Sequence, residues 1–344
     1  MHHTCGRGKG RESFVMFFRR LLKERGGVIV SRRNSGFGDN LLAAANAWRY
    51  ARATGRSLVI LWTGSRYLED PAENAFPRFF EIPESVGGVR VIVPPRLDSL
   101  SRLLVRASFA TFPKPAASLF GARLLSALGM DGDGAALKRE SEKREAEIDA
   151  IVEHLAGVKS RVLVTQGCYG PKEDVKPFFD AVRLAPRLAE AADKFAAENF
   201  AGKKVVGAHV RHYSAHLPVS GHTPYWSDWA RGLKACLEGI GRARDMAGEG
   251  ERVIFLSTDS RPVEEMITRS FSGVVTYPKP FGRDFGGELH DELPVETADA
   301  SVVEMFLLAR SDVLFRYPPG SWFSYYASLY AGRVLGADPP VPER

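Results

Sequence analysis

Short apolar runs alternate with longer amphipathic segments along most of the chain. In the first half the pattern predicts strands at 28–30, 57–62, 89–93 and 161–165, and helices at 40–53 and 138–155. In the second half it predicts strands at 203–210, 252–257, 273–277 and 312–316, and helices at 188–200, 228–247, 262–270, 298–309 and 322–330. Short buried strands separated by longer helices are typical of parallel sheets, so the pattern indicates an α/β protein. Two such series predict two doubly wound units that meet near residues 170–185.

The amino-acid composition is consistent with this architecture and indicates which kinds of ligand the protein can bind. The chain has 344 residues, enough for two domains, and 44% of them are hydrophobic while 26% are charged. The net charge of +6, from 47 basic and 41 acidic residues, suits an anionic small ligand as readily as nucleic acid. No basic run is interleaved with aromatic residues as a groove for single strands would need. We therefore expect no nucleic-acid partner.

The cysteines and one apolar patch indicate the compartment. Cys5, Cys168 and Cys236 are scattered and odd in number, which excludes an obvious disulfide framework and favours a reducing, cytoplasmic location. An apolar patch at 14–18 is too short to span a bilayer. It leaves open a weak peripheral contact with the inner face of the membrane.

One segment of the second half carries the clearest chemistry. The predicted strand at 203–210 contains His209 near its end, and Arg211 and His212 follow it directly. Ligands of open α/β sheets bind at the carboxyl-terminal ends of the strands. The planar guanidinium group of an arginine can donate two parallel hydrogen bonds to two oxygens of one phosphate. The segment therefore predicts a phosphate-bearing ligand.

The loop after this strand contains His212, His216 and His222. A metal site is one interpretation, because imidazole is a common metal ligand. No carboxylate or thiol lies between these histidines, and their spacing matches no established zinc pattern. Structural histidines are the alternative, and we expect no metal.

Three other positions also follow strands of the second half. Thr258, Asp259 and Ser260 end a strand and open a helix, so Ser260 is either a helix cap or a nucleotide contact. Gly320 and Ser321 precede the last helix, where backbone amides favour an anion. Glu304 lies one helix earlier and is either a contact to a base or ribose, or a solvated charge.

The glycine-rich turn from Gly36 to Asp39 excludes two nucleotide classes. It lacks the third glycine and the later acidic residue of a dinucleotide fingerprint, and it lacks the lysine of a Walker loop. An NAD(P)-dependent oxidoreductase is therefore disfavoured. The turn either lines a cleft with backbone or is a plain tight turn.

A second glycine-rich sequence, Asp131-Gly132-Asp133-Gly134, resembles the Asp-x-Asp motif of metal-dependent sugar transferases. It follows no predicted strand, so a turn is favoured.

Taken together, the motifs resemble the rhizobial nodulation fucosyltransferase family and, more distantly, the eukaryotic core α-1,6-fucosyltransferases. The matching residues run in order from about 28 to 331: 31–33, 36–39, Trp62, Gly64 and Ser65, Tyr67 and Leu68, 74–77, 209–212, Gly221 and His222, 224–226, 258–260, 307–310, Pro318 and Pro319, and Ser321.

The resemblance implies a GT-B fold, in which two Rossmann-like domains face each other across a cleft. Residues 20–175 would form the acceptor side and residues 176–335 the nucleotide-sugar donor side. The implied reaction is an inverting, metal-independent transfer of L-fucose from GDP-fucose, or a related GDP-sugar, to a hydroxyl of an oligosaccharide or lipid-linked glycan. No cofactor besides this donor substrate is implied.

The resemblance also implies roles for individual residues. Arg211 would bind the donor phosphates, His209 would lie against the guanine, and Glu304 would contact the nucleoside, where closer relatives carry aspartate. The resemblance places Gly320 and Ser321 at the turn that binds the pyrophosphate. The remaining candidate positions are His212, Thr258, Asp259 and Ser260 on the donor side, and Gly36, Phe37, Gly38, Asp39 and His222 on the acceptor side.

The sequence departs from the family at the catalytic base. Relatives carry a carboxylate in the loop after the arginine, whereas this chain has no Asp or Glu between Arg211 and Asp228. His216 is the nearest substitute as a base. Other sources of a carboxylate are Asp39, Glu173, Asp174 and Glu288. The alternatives are therefore a GT-B transferase that uses another nucleotide sugar, or a non-catalytic nucleotide- or glycan-binding protein.

Overall fold

The computed structural model describes residues 26–96, 162–165, 174–212, 226, 228–281, 295–319 and 321–336. The strands in these ranges are β1 Val28–Ser31, β2 Ser57–Ile60, β3 Phe80–Glu81, β4 Ser85–Val86, β5 Val89–Ile92, β6 Val162–Thr165, β7 Arg183–Leu184, β8 Lys204–Val210, β9 Arg252–Thr258, β10 Val274–Val275, β11 Val313–Tyr317 and β12 Val334–Gly336. The helices are α1 Phe37–Thr54, α2 Phe76–Phe79, α3 Lys176–Ala181, α4 Pro186–Asn199, α5 Trp229–Met246, α6 Arg261–Ser270, α7 Ala298–Leu308 and α8 Trp322–Ser328.

The first sheet has the strand order β4-β5-β2-β1-β6. Strand β1 pairs in parallel with β2 on one side and with β6 on the other, and only β4 runs antiparallel to its neighbour β5. The chain first moves outward from β1 through α1 to β2 and β5, and later returns to place β6 on the opposite side of β1. A crevice therefore lies at the carboxyl-terminal ends of β1 and β6.

The second sheet is parallel throughout, in the order β10-β9-β8-β11-β12. Strand β8 is central. The chain leaves it through α5 to β9 and then β10, and it returns through α7 to β11 on the other side. The change of direction lies between β8 and β11, where parallel sheets form ligand crevices. This is the edge at which Arg211 and its neighbours follow β8.

Two helical layers cover the second sheet. On one face, β8 residues Val206 and Ala208 pack with Cys236 of α5 and Ile267 of α6. On the other face, Phe255 and Leu314 belong to the apolar core that α4, α7 and α8 complete. Both faces are buried, which explains why these strands are nearly continuous apolar runs.

Helix α1 is buried along most of its length. Five of its six alanines, among them Ala44 and Ala47, are fully buried, and the Trp48 indole donates a hydrogen bond to the Val86 carbonyl at 2.9 Å. The helix ends at Gly55, whose φ of 63° is the left-handed conformation that glycine favours at this position. Small side chains allow α1 to lie between the first sheet and α8.

Several contacts join the two halves of the chain. Strand β3 pairs with β7 through Phe80 and Leu184. The Phe80 ring lies 6.2 Å from that of Phe306 in α7. The predicted division between residues 175 and 176 falls at the start of α3, where Phe178 contacts Trp48 and Phe179 contacts Tyr326. The apolar core is therefore continuous across the predicted boundary.

The predicted α/β class with parallel strands is confirmed, and the predicted strands and helices that fall on described residues are present. The pattern missed α2, α3, β3, β4, β7 and β12, which have two to six residues each. Elements this short do not complete a period of apolar spacing. The predicted helix at 138–155, the turn at 131–134 and the apolar patch at 14–18 lie outside the described residues. In the described ranges, no helix is both long and apolar enough to cross a bilayer.

Candidate functional site

The crevice of the second sheet is closed at its base by backbone hydrogen bonds. The Arg211 amide donates to the Tyr317 carbonyl at 2.7 Å, which extends the β8–β11 pairing beyond the strands. The Arg211 carbonyl accepts the indole N–H of Trp226 at 2.8 Å. Arg211 is therefore fixed at the point where the sheet changes direction.

A buried carboxylate orients the Arg211 side chain. Its Nε lies 3.2 Å from Oδ2 of Asp259, and the two side chains are 21% and 1% exposed. The other oxygen of Asp259 accepts the His212 amide at 2.7 Å. Asp259 thus links the ends of β8 and β9 and directs the guanidinium group, which keeps part of its surface in contact with solvent.

Ser260 does not cap α6 with its side chain. It is the N-cap residue, but its hydroxyl makes no hydrogen bond to the amides of the first turn. The hydroxyl lies 3.1 Å from Nδ1 of His212 instead, and the His212 ring meets those of Trp226 and Trp229 edge-on. The side-chain cap interpretation of Ser260 is therefore not supported, and the nucleotide contact stays a prediction.

A row of polar side chains crosses the second sheet one layer below Arg211. His209 on β8 is in register with Ser257 on β9 and Arg316 on β11, so the three side chains share one face. The His209 ring stacks on Phe323 with centroids 5.0 Å apart. Burial lowers the pKa of Arg316, and Tyr325 opposes this in part. The sequence signal for Arg316 was a charge inside an otherwise apolar strand.

Glu304 is a buried ion-pair partner. Its side chain is 2% exposed, Oε1 lies 2.6 Å from Nζ of Lys279, and Oε2 accepts the Ser257 hydroxyl at 3.1 Å. Burial raises the pKa of Glu304, while Lys279 and Ser257 oppose the rise. The solvated alternative for Glu304 therefore does not describe this structure. Lys279 follows β10 outside any recognisable motif, so sequence reasoning could not identify it.

The predicted turn at 36–39 is mostly helical, because residues 37–39 form the first turn of α1, and these three residues serve different purposes. Phe37 is 2% exposed, and its ring stacks on that of Tyr67 with centroids 3.9 Å apart, so Phe37 is a core residue. Gly38 packs against the backbone of Trp322 at the start of α8. Asp39 keeps some exposure and accepts a hydrogen bond from Ser35 at 2.5 Å.

The remaining predicted positions are placed as follows. Thr258 and Ser321 are buried at the same edge as Arg211, and Gly36 is the N-cap residue of α1. Asp174 forms an ion pair with Arg49 at 2.7 Å. The residues His216, His222, Gly320, Glu173 and Glu288 lie outside the described residues. Among the residues with described positions, no group of three or more His, Cys, Asp or Glu is arranged to hold a metal ion.

Comparison with known proteins connects this site to a family. The family model "Nodulation protein Z (NodZ)" matches residues 25–344. Nodulation protein Z of Bradyrhizobium diazoefficiens is 34% identical over 323 residues, which cover 92% of this chain and 82% of that protein. Nodulation protein Z of Sinorhizobium fredii is 31% identical over 320 residues, which cover 92% and 94% of the two chains.

Solved structures agree with the sequence match. The fucosyltransferase NodZ from Bradyrhizobium superposes with a TM-score of 0.62 at 28% identity, covering 91% of this chain and 96% of that one. NodZ alpha-1,6-fucosyltransferase soaked with GDP-fucose gives a TM-score of 0.62 at 28% identity, with coverages of 91% and 97%. The site lies within the matched span, and the chain belongs to the Nodulation protein Z family.

Proposed function

We propose that this chain is a fucosyltransferase that transfers L-fucose from GDP-fucose to a hydroxyl of an oligosaccharide. One observation supports the donor assignment most directly: Arg211 lies at the switch point of the second sheet with its Nε 3.2 Å from Oδ2 of the buried carboxylate of Asp259. An arginine oriented in this way suits a diphosphate. NodZ alpha-1,6-fucosyltransferase has been co-crystallised with GDP and soaked with GDP-fucose.

The fold we infer is GT-B, with residues 20–175 on the acceptor side and residues 176–335 on the donor side. Helix α1 begins at the carboxyl-terminal end of β1, and α8 begins at the carboxyl-terminal end of β11. The contact of Gly38 with Trp322 brings these two helix starts together. This contact supports the inference that the two sheets face a shared cleft with the carboxyl-terminal ends of their strands.

The chemistry follows from charge on the leaving group. As the bond between fucose and GDP breaks, negative charge develops on the diphosphate, and Arg211 stabilises it without a metal ion. Asp259 holds the guanidinium in place beforehand, so no reorganisation is needed during the reaction. Inversion at the sugar carbon requires a base on the opposite face to accept the proton of the attacking hydroxyl.

GDP is expected to raise the melting temperature of the full chain by about 4 °C at a concentration 100-fold above its Kd. The reason is that GDP binds only the folded state. The shift should be the same with and without a chelator, since no metal takes part. A shift with UDP or NAD and none with GDP would refute the donor assignment.

His216→Ala is expected to lower fucose transfer by about 10²-fold or more while GDP binding stays unchanged, because the change removes the base and leaves the donor site intact. GDP release from GDP-fucose, followed with a panel of glycan acceptors, measures the effect. His154→Ala, outside the histidine-rich loop, is the control. Unchanged turnover in His216→Ala would exclude His216 as the base and direct attention to Asp39.

The absence of Asp and Glu between Arg211 and Asp228 favours one second candidate, a non-catalytic nucleotide- or glycan-binding protein. Such a protein would bind GDP and transfer fucose to no acceptor. The same acceptor panel, applied to the unmodified chain, separates the two candidates.

A further inference from the structure

A cavity of about 660 Å³ lies between the two halves of the chain. Its lining includes three charged residues and three prolines: Glu73, Arg78, Arg187, Pro77, Pro95 and Pro186. This volume falls within the range of roughly 300–1,000 Å³ that is usual for small-molecule sites. No residue of the described lining belongs to the candidate donor site, so the proposed donor does not account for the cavity.

The cavity lies where the strands of both sheets end. Glu73 follows β2 and Pro95 follows β5, so both lie at the carboxyl-terminal edge of the first sheet. Arg187 is in the first turn of α4, the helix that ends just before β8 begins. Because α4 runs opposite to β8, its start lies towards the carboxyl-terminal edge of the second sheet. This is the edge at which ligands of α/β sheets bind.

A buried asparagine holds the wall that the first half contributes. The fully buried Asn74 side chain donates to the carbonyls of Ile60 at 3.0 Å and Pro94 at 2.7 Å. It thereby joins the ends of β2 and β5 and fixes the position of Glu73 beside it. The motif at 74–77, which the donor site does not use, thus shapes this wall.

Arg187 holds the opposite wall. Its guanidinium group donates to both carboxylate oxygens of Asp299, which lies in the first turn of α7. Its Nη2 also donates to the Arg78 carbonyl at 3.2 Å, which joins α4 to α2. Both walls are therefore formed in advance, so a ligand would lose little free energy to ordering them.

Two charged groups of the lining are available to a ligand. Across the described ranges, neither the Glu73 carboxylate nor the Arg78 guanidinium makes a hydrogen bond or an ion pair. A guanidinium group has five N–H donors, whereas a carboxylate only accepts hydrogen bonds. Sugar hydroxyls both donate and accept, so neighbouring hydroxyls of one sugar match this combination.

The charges around the cavity favour a neutral ligand. Arg78 and Arg187 are positive, Glu73 and Asp299 are negative, and the four charges cancel. A site for phosphate or another anion requires an excess of positive charge. The cavity therefore suits an uncharged polar molecule better than a second nucleotide.

We propose that this cavity binds a neutral sugar unit of the acceptor oligosaccharide, other than the unit that receives the fucose. The inference rests on the proposed function, because it requires an oligosaccharide acceptor between the two sheets. Arg78 donates to oxygens of this sugar, and Glu73 accepts from its hydroxyls. The prolines contact the C–H groups of the sugar ring, and Arg187 is a positioning residue that fixes the wall.

Binding of oligosaccharides to the full-length variant Glu73→Ala/Arg78→Ala, measured by calorimetry with GDP present, tests the proposal. The probes are oligomers of glucose, galactose and N-acetylglucosamine, from disaccharides to hexasaccharides, together with sulfated forms. We expect the affinity for the neutral oligosaccharides that the wild type binds to fall roughly 10-fold or more, because two charge-assisted hydrogen bonds are lost. Affinity for GDP should stay unchanged. Melting curves should also change little, since both side chains are at the surface.

Glu81→Ala/Arg183→Ala is the matched control. Glu81 and Arg183 face each other on β3 and β7 and line a different cavity of about 560 Å³. This variant makes the same two changes near the same junction and should leave both affinities unchanged.

Wild-type affinity for oligosaccharides in the folded Glu73→Ala/Arg78→Ala variant, or an equal loss in the control, would overturn the inference and leave the donor assignment intact. Tighter binding of the sulfated forms that depends on Arg78 would identify an anion site and also overturn it. A wild type that binds GDP but no oligosaccharide would overturn the inference together with the proposed acceptor. A wild type that binds oligosaccharides but no GDP would contradict the donor assignment alone.

Discussion

Arg211→Ala is expected to lower the turnover of GDP-fucose by about 10³-fold and to abolish the GDP-dependent rise in melting temperature. The guanidinium group supplies the positive charge that the leaving diphosphate needs in the transition state, and removing one preorganised charge-stabilising donor has effects of about this size. Asp259, whose side chain is 1% exposed, would also lose its ion-pair partner. We therefore expect a loss of about 3 kcal/mol in the free energy of unfolding as well.

Two further variants separate binding from stability. Arg211→Ala combined with Asp259→Asn removes the unpaired charge, so stability should partly recover while GDP binding stays lost. Arg333→Ala changes an exposed arginine before β12, at the other edge of the sheet, and should affect neither property. Wild-type affinity for GDP in Arg211→Ala would show that the phosphates bind elsewhere.

Gly38→Ala is expected to destabilise the protein by about 3 kcal/mol or more, or to prevent folding. A Cβ at this position would lie 2.4 Å from the Trp322 oxygen, 2.5 Å from its carbonyl carbon and 2.6 Å from the Phe323 nitrogen. These are backbone atoms, which cannot rotate away, so α1 and α8 would have to separate. The higher helix propensity of alanine offsets only about 1 kcal/mol of this cost.

Gly241→Ala is the control for the effect of helix propensity alone. Gly241 lies within α5, and an added Cβ there would have no atom within 4 Å. This change should stabilise the protein by up to about 1 kcal/mol, as measured by urea unfolding. If Gly38→Ala is as stable as Gly241→Ala, the close contact between α1 and α8 does not exist in solution.

The alternation of short apolar strands and longer helices was sufficient to predict the parallel α/β architecture. Each of these elements is long enough for its own side-chain period to show in the sequence. The motifs at the ends of β8, β9 and β11 were identifiable because in parallel sheets all strand ends lie at one edge. The predicted family is confirmed by the match over residues 25–344.

The local pattern of apolar and polar residues could not predict which residues far apart in the chain contact each other. From the sequence, residues 36–39 were interpreted either as a surface lining a cleft or as a tight turn. Only the approach of α8 shows that Gly38 is required for the close packing of α1 against α8. The Ser260 hydroxyl contacts His212 across 48 positions rather than its own helix. Strands β3 and β7, two residues each, exist because they pair with each other.

The sequence by itself therefore determined the class of fold, the family and the strand end that carries Arg211, because these depend on local periodicity and on motifs that are contiguous in the chain. Only the tertiary structure decided which groups act on those residues. Asp259 orients Arg211, and Lys279 pairs with Glu304 across 25 positions, in a buried environment that no local pattern encodes. The charge state and orientation of a side chain depend on its burial and on its distance from residues in remote segments. Both arise only when the sheets and helices pack.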